Sequence, residues 1–363
     1  MSTTTTDPGV NRPSASLSDD TLVGWLRTML LIREFEIRTM AAYQQAKIGG
    51  FCHIYNGQEA VVTGTFNAIN HDDPIITAYR DHGHALARGM DPRHCMAEMY
   101  GRLSGCAKGK GGSMHMFDKP NWLFGGHGIV GAQTPVGAGL AFAAKYTHKV
   151  LKRGPKKVCL CFLGDGAINQ GAFHEAMNLA GLFSIPVIYI IENNGYSMGT
   201  AIHRGTTMHD KLYKKAEANA IEPIEIDGMD VLNVYDKFKP YADMLREEQR
   251  PGFVDLKTYR YQGHSMSDPQ KYRTKEEVNE YQDKDPINSL ANHLLSEREC
   301  LTEDQFKDLQ KDIKAEVRAA VDFAESEPTP DPESELYSDV YANPQPHLSP
   351  IRDYTQGEKN ALL

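Results

Sequence analysis

Gly164-Asp165-Gly166 and Asn193-Asn194 stand with 26 residues between them, and each directly follows a run that reads as a buried strand. The first run, Val158-Cys159-Leu160-Cys161-Phe162-Leu163, is continuously apolar, and the second, Pro186 to Ile191, is β-branched and aromatic and closes at Glu192. Asn169 to Phe183 fits a helix between them. A strand, helix, strand unit of this length makes a right-handed parallel crossover, which brings Asp165 and Asn194 to the carboxyl ends of neighbouring strands. One carboxylate, one amide oxygen and a backbone carbonyl just beyond, at Tyr196, form a hard, low-charge oxygen set. Such a set is incomplete as a cage and suits Mg²⁺, or Ca²⁺, shared with phosphate oxygens and water. Glycines on both sides of Asp165 let the backbone approach phosphates, and the helix that follows turns its amino end toward their charge. Alone, Gly-Asp-Gly reads as a tight turn. The two strings at this spacing read as a metal-diphosphate site.

The elements that must hold this site can be traced along the chain. Ser18 caps a long helix whose apolar positions Leu22, Trp25, Leu26, Met29, Ile32 and Phe35 recur at helical spacing, and Gly49-Gly50 stops it. Glycine-rich loops alternate with short helices up to Gly131. Pro135 to Tyr146 then forms a helix lined by Gly137, Ala138, Gly139, Ala141, Ala143 and Ala144, read as a tightly packed core helix in preference to a dedicated subunit contact. Ala220 to Asp227 and Phe253 to Tyr261 supply later strands around a helix from Val231 to Glu248. Thr302 and Gln305 form a capping box for a helix reaching Ala324, ended by Pro328, Pro330 and Pro332. The expected fold class is α/β: a parallel sheet with helices on both faces and helical terminal additions. Residues 1–17 are expected to be a disordered tail and 18–363 a single domain.

Composition limits the function classes. A chain of 363 residues with 40% hydrophobic and 24% charged content suits one large α/β core. The net charge of −9 argues against nucleic acid or an anionic membrane as the main partner. No stretch approaches the roughly eighteen apolar residues of a membrane span. Met1 to Asp20 carries one arginine against three aspartates, unlike a secretory signal or a basic transit peptide, so a bacterial cytoplasm is the expected setting. The six cysteines show no metal or redox spacing and read as reduced core residues.

The paired strings match a thiamine diphosphate fingerprint, and further blocks extend the likeness. These are Gly50-Phe51-Cys52-His53 with Gly57-Gln58-Glu59-Ala60, Ile76 to Arg80, Lys108 to Met116, Gly128 to Gln133, and Tyr259-Arg260-Tyr261 with Gly263 to Asp268. From about residue 20 to about residue 340 the chain resembles the α subunits of the thiamine diphosphate-dependent 2-oxo acid dehydrogenases, the pyruvate dehydrogenase first component above all. The resemblance implies decarboxylation of pyruvate on thiamine diphosphate and Mg²⁺, with passage of the acetyl group to the lipoyl arm of an acyltransferase. It implies a β subunit that supplies the glutamate for the aminopyrimidine, in a tetramer of two α and two β chains. Asp165, Asn194 and the Tyr196 carbonyl then correspond to metal ligands. Tyr79, Arg80, Gly166, Ala167 and His264 correspond to cofactor-binding residues, and Gly128 and Val130 to main-chain contacts of the aminopyrimidine ring.

The side-chain chemistry is compatible with those roles. A guanidinium suits a diphosphate through paired charge-assisted bonds, although Arg80 alone reads equally as a surface ion-pair partner. Histidine titrates close enough to neutrality to move protons or polarise a keto acid, and His53 and His264 correspond to the active-site histidines. His82, His115 and His127 are expected to order loops. The Ser265 to Gln270 segment has too little apolar content to hold itself, so it is expected to order around bound cofactor. Ser265 matches a regulatory phosphorylation site of eukaryotic relatives.

Other readings remain open at this level. A branched-chain 2-oxo acid or acetoin dehydrogenase subunit is the nearest. A Mg²⁺-dependent phosphotransferase lacks support, because Gly109-Lys110 is followed by Gly111 where a P-loop needs serine or threonine, and Gly137 and Gly139 are completed only by Phe142. A noncatalytic binding subunit conflicts with the full set Asp165, Asn194, Arg80 and His264.

Overall fold

The computed structural model describes residues 12–336 and 338–340. Its strands are β1 (Ile75–Ala78), β2 (Leu123–His127), β3 (Cys159–Gly164), β4 (Val187–Asn193), β5 (Tyr196–Ser197), β6 (Thr200–Ala201), β7 (Pro223–Asp227) and β8 (Gly252–Lys257). Six of them form a parallel sheet in the order β2-β1-β3-β4-β8-β7, and β5 and β6 make a small antiparallel hairpin. From β1 the chain builds outward to β2, then returns to place β3 on the other side of β1. The junction of β1 and β3 is therefore a topological switch point, where the loops at the carboxyl ends diverge and leave a crevice.

The helices are α1 (Asp19–Gln44), α2 (Glu59–Asn67), α3 (His82–Ala87), α4 (Pro92–Met99), α5 (Gln133–Lys149), α6 (Gly171–Phe183), α7 (Ile202–Gly205), α8 (Lys214–Glu217), α9 (Val231–Glu248), α10 (Lys275–Gln282), α11 (Pro286–Asn292), α12 (Glu303–Ser326) and α13 (Pro332–Glu335). Strand alternation decides which of them covers which face. Leu160 and Phe162 of β3 pack with residues of α1, α2, α4, α9 and α12, whereas Cys159, Cys161 and Leu163 point to the opposite core with α5 and α6. Ser18 caps α1 by accepting from the Thr21 N–H, and Thr302 and Gln305 form the expected capping box at α12. No helix among the described residues is long and apolar enough to cross a membrane.

Several boundaries differ from the sequence reading. Residues 1–11 of the expected tail lie outside the described residues, but Pro13–Ser16 form a 3₁₀ turn, and Ser14 donates its N–H and hydroxyl to the Asp236 carboxylate at 2.6 and 2.7 Å. The expected single domain divides after Pro328, where the proline series prevents continuation of α12. From Thr329 the described residues contain one short helix, α13, capped by Asp331. A 3₁₀ turn, Ala167–Asn169, precedes α6, so that helix starts at Gly171 rather than Asn169.

The sequence reading contained neither β1 nor β2. Two consecutive glycines obscure β2, since glycine has low strand propensity, yet both are needed. A Cβ at Gly125 would lie 2.1 Å from the Phe117 ring and one at Gly126 1.9 Å from Asp81 Oδ2. The α5 helix is also only half core. Gly137, Ala138 and Ala141 face the sheet, with a Cβ at Gly137 lying 3.0 Å from Cys161, while Val136, Phe142 and Tyr146 are exposed.

Candidate active site

Tyr79-Arg80 leaves β1 and Asp165 leaves β3, so all three emerge at the switch point. Asp165 is 2% exposed. Its Oδ1 accepts the Gly166 N–H at 3.0 Å, but its Oδ2 is buried and has no hydrogen-bond partner. Burial pushes this carboxyl up to about 6, against the opposing charge of Arg260. An unsatisfied buried carboxylate oxygen is what a bound cation would satisfy. Across the β3-β4 pair, Asn194 accepts the Tyr196 N–H on its Oδ1 at 3.3 Å and donates its Nδ2 to Gln58 Oε1 at 3.2 Å. The Tyr196 carbonyl accepts from Arg260 at 3.3 Å. Among the described residues no group of three or more His, Cys, Asp or Glu side chains could hold a metal. A cation here would rest on amide and carbonyl oxygens beside one carboxylate, and this hard donor set fits Mg²⁺.

The neighbouring positive charges bond to neutral oxygens rather than to carboxylates. Arg80 is buried and donates to the carbonyls of Ile54 at 2.5 Å and His264 at 2.8 Å. Burial, then the charge of Arg260, lowers its pKa to about 10. Arg260, itself buried, donates to the Tyr196 and Met198 carbonyls and the Tyr272 hydroxyl, and its Nε has no partner. Neither guanidinium meets a carboxylate among the described residues. Two such groups held close together attract an anion of more than one charge.

Beside them opens a cavity of about 730 Å³ lined by His53, Tyr79, His115, Gly128, Val130 and His264, among others. The rings of His53, Tyr79 and His264 form one cluster, with centroids 4.5 Å apart for His53 and Tyr79 and 5.1 Å for His53 and His264. Burial and Arg80 lower His53 to about 2 and His264 to about 4, so both rings are neutral near pH 7. The Nδ1 of His53 has no partner. His82 faces away, bridging Glu36 at 2.9 Å and Ser113 Oγ at 2.9 Å, and His127 reaches the Thr77 carbonyl at 3.2 Å. His115 combines both settings, since it bonds the Gly126 carbonyl at 3.1 Å and also lines the cavity. Asn194 and Tyr196 instead line a separate groove.

The loop after His264 is held differently from expectation. Its brace is polar: Asp268 accepts the His264 N–H at 2.6 Å, the Gln270 N–H at 2.9 Å and the Tyr272 hydroxyl at 2.7 Å. Met266 donates its N–H to the Cys52 carbonyl at 2.9 Å and packs against the main core.

Arg260 was absent from the expected site residues. Its sequence signal was an arginine between two tyrosines at the end of a strand run, a place where a buried charge needs a reason.

Residues 27–333 match the dehydrogenase E1 component family. The chain is 49% identical over 284 residues to the pyruvate dehydrogenase E1 component subunit alpha of Rickettsia bellii, covering 78% of this chain and 85% of that protein. The protein of the same name from Rickettsia prowazekii is 50% identical over 272 residues, covering 75% and 81% respectively. The one from Rhizobium meliloti is 47% identical over 284 residues, covering 78% and 79%.

Proposed function

Since the chain belongs to the dehydrogenase E1 component family, we propose that it acts as the α subunit of a pyruvate dehydrogenase first component, using thiamine diphosphate and passing the acetyl group to the lipoyl arm of an acyltransferase. One observation carries this reading. An orphaned carboxylate oxygen after β3 and two guanidiniums, after β1 and β8, that meet no carboxylate among the described residues gather at the carboxyl ends of one parallel sheet, a charge pattern that calls for a cation and a polyanion together.

Thiamine diphosphate supplies a carbon nucleophile and an electron sink for loss of CO₂ from a 2-oxo acid. Asp165, Asn194 and the Tyr196 carbonyl would hold Mg²⁺, and Arg80 and Arg260 would balance the diphosphate. Tyr79, Gly166 and Ala167 adjoin that region, and the main chain of Gly128 and Val130 would hold the aminopyrimidine ring. The neutral rings of His53 and His264 can each donate one N–H and accept at the other nitrogen. They can therefore orient a keto acid and exchange a proton with it, while its carboxylate feels the charge of the two arginines.

The exposed faces of α5 and α6, with Val136, Phe142, Tyr146, Leu182 and Phe183, support a partner subunit. We assign that partner as the β chain in a two-α, two-β tetramer. The bacterial relatives support a cytoplasmic setting. Coexpression with the neighbouring β chain, followed by decarboxylation assays with pyruvate and branched 2-oxo acids and a carbon–carbon cleavage assay with acetoin, tests the proposal. Turnover of pyruvate with added thiamine diphosphate and Mg²⁺ is expected. Preference for a branched acid or acetoin would move the assignment within the family, and no turnover of any of them would overturn it.

A further inference from the structure

We propose that Glu98 is a positioning residue, the internal anion around which the Ala107–Gly112 turn is wrapped. The inference borrows the function above only for its catalytic consequence. Glu98 lies in the last turn of α4, is fully buried and does not line the cavity. Its Oε2 accepts the N–H groups of Ala107 and Gly109 at 2.7 and 2.9 Å, and its Oε1 accepts those of Gly111 and Gly112 at 2.7 and 3.0 Å. The intervening N–H groups of Lys108 and Lys110 bond to turn carbonyls instead, those of Gly105 and Ala107. Left-handed backbone at Lys108, Gly109 and Gly112 produces this alternation, with φ of 58°, 73° and 61°. Backbone N–H groups converging in this way form an anion nest, and here the anion belongs to the protein itself.

The location of the carboxylate shows that the nest is needed. A negative charge at a helix carboxyl end opposes the helix dipole, and burial adds to the penalty. Four charge-assisted bonds offset both. A glutamine could not replace it, because its amide group would turn two donors toward N–H groups. Space is equally restrictive, since a Cβ at Gly105 would lie 2.4 Å from Glu98 Oε2.

What this turn delivers is the wall of the cavity. Directly after it, Ser113 Oγ accepts the His53 N–H at 3.2 Å and meets His82 Nε2 at 2.9 Å. Met114 and His115 follow, both facing the cavity, and a Cβ at Gly128 would lie 3.2 Å from the His115 ring. Glu98 thus sets the register of His53 and His115 without touching substrate.

The test uses the α chain assembled with its β partner and needs no cofactor. Trypsin should cut after Lys108 and Lys110 about tenfold or more faster in Glu98→Gln and Glu98→Ala than in the parent, with other cleavages unchanged. Formate, which fits the emptied nest, should restore resistance in Glu98→Ala, whereas chloride at equal ionic strength should not. Variants as resistant as the parent, or a Glu98→Ala indifferent to formate, would overturn the proposal. Should neither variant assemble, hydrogen exchange on the parent decides: Ala107, Gly109, Gly111 and Gly112 amides must exchange slowly and together, and free exchange overturns it. A parent inactive toward every 2-oxo acid would defeat the functional reading and leave these outcomes intact. In an active complex, formate should also recover kcat in Glu98→Ala, which a general loss of stability would not permit.

Discussion

Arg260 acts on Arg80 through its charge: after burial, it is the main cause that lowers the Arg80 pKa to about 10. Two buried guanidiniums that repel each other are stable neighbours only when something negative joins them. Arg260→Gln removes one of the pair and should weaken thiamine diphosphate binding roughly 10- to 100-fold, the range expected for a hydrogen bond to a charged group. Calorimetric titration of the assembled protein measures this, and unchanged affinity would remove Arg260 from the site.

Asp165 carries the only carboxylate in the proposed cation set. Its replacement by asparagine should reduce Mg²⁺-dependent cofactor affinity by about 100-fold or more, since even outer-sphere partners of a metal account for 10- to 100-fold. Chelating the metal from the parent should release cofactor to the same extent. Retention of cofactor under either treatment contradicts the assignment.

The histidines should separate by role. Alanine at His53 or His264 should lower decarboxylation by about 100-fold or more, the range of a lost proton-transfer group, while His115→Ala should lose only about tenfold. Equal losses in the protein assembled with its partner would make all three residues loop supports.

The depressed pKa of His53 has a signed effect on stability. Its folded value of about 2 lies below the ordinary 6.5, so on acidification the unfolded chain takes up the proton first and stability falls. Between pH 6.5 and about pH 5.5 this amounts to roughly 1 kcal/mol. In His53→Gln that loss is absent, so the variant's melting temperature should gain on the parent's over the same interval. A gap that does not change with pH would mean that His53 titrates alike in the folded and unfolded chain.

Ser265 lines the cavity, and its hydroxyl meets Ser267 Oγ at 3.0 Å. A carboxylate there would repel the diphosphate and substrate or compete for Arg80. Like charges at about 4 Å repel by roughly 1 kcal/mol in water and roughly 4 kcal/mol near a protein surface, so Ser265→Glu should bind cofactor about tenfold or more weakly. Full activity of this variant would dispose of the electrostatic argument.

The β3, α6, β4 unit was legible because its strands are buried on both faces and so read as unbroken apolar runs. Asp165 and Asn194 followed from it directly. β2 was hidden because its glycines answer to Phe117 and Asp81, partners that only the tertiary structure supplies. Arg260 and Glu98 were hidden for a related reason. The sequence displays a charge, but whether that charge is satisfied depends on backbone carbonyls and N–H groups brought from elsewhere in the chain. The exposed half of α5 was misread because small residues suit a core face and an interface equally.

That exposed half has a consequence for the cell as much as for the fold. Leu182 and Phe183 on α6, with Phe142 and Tyr146 on α5, present apolar surface that water disfavours until another chain covers it. Copies synthesised in excess of their partner would find one another instead. We expect matched synthesis of the two chains to be a condition of solubility before it is a condition of turnover, and the yield of soluble protein to follow the scarcer chain.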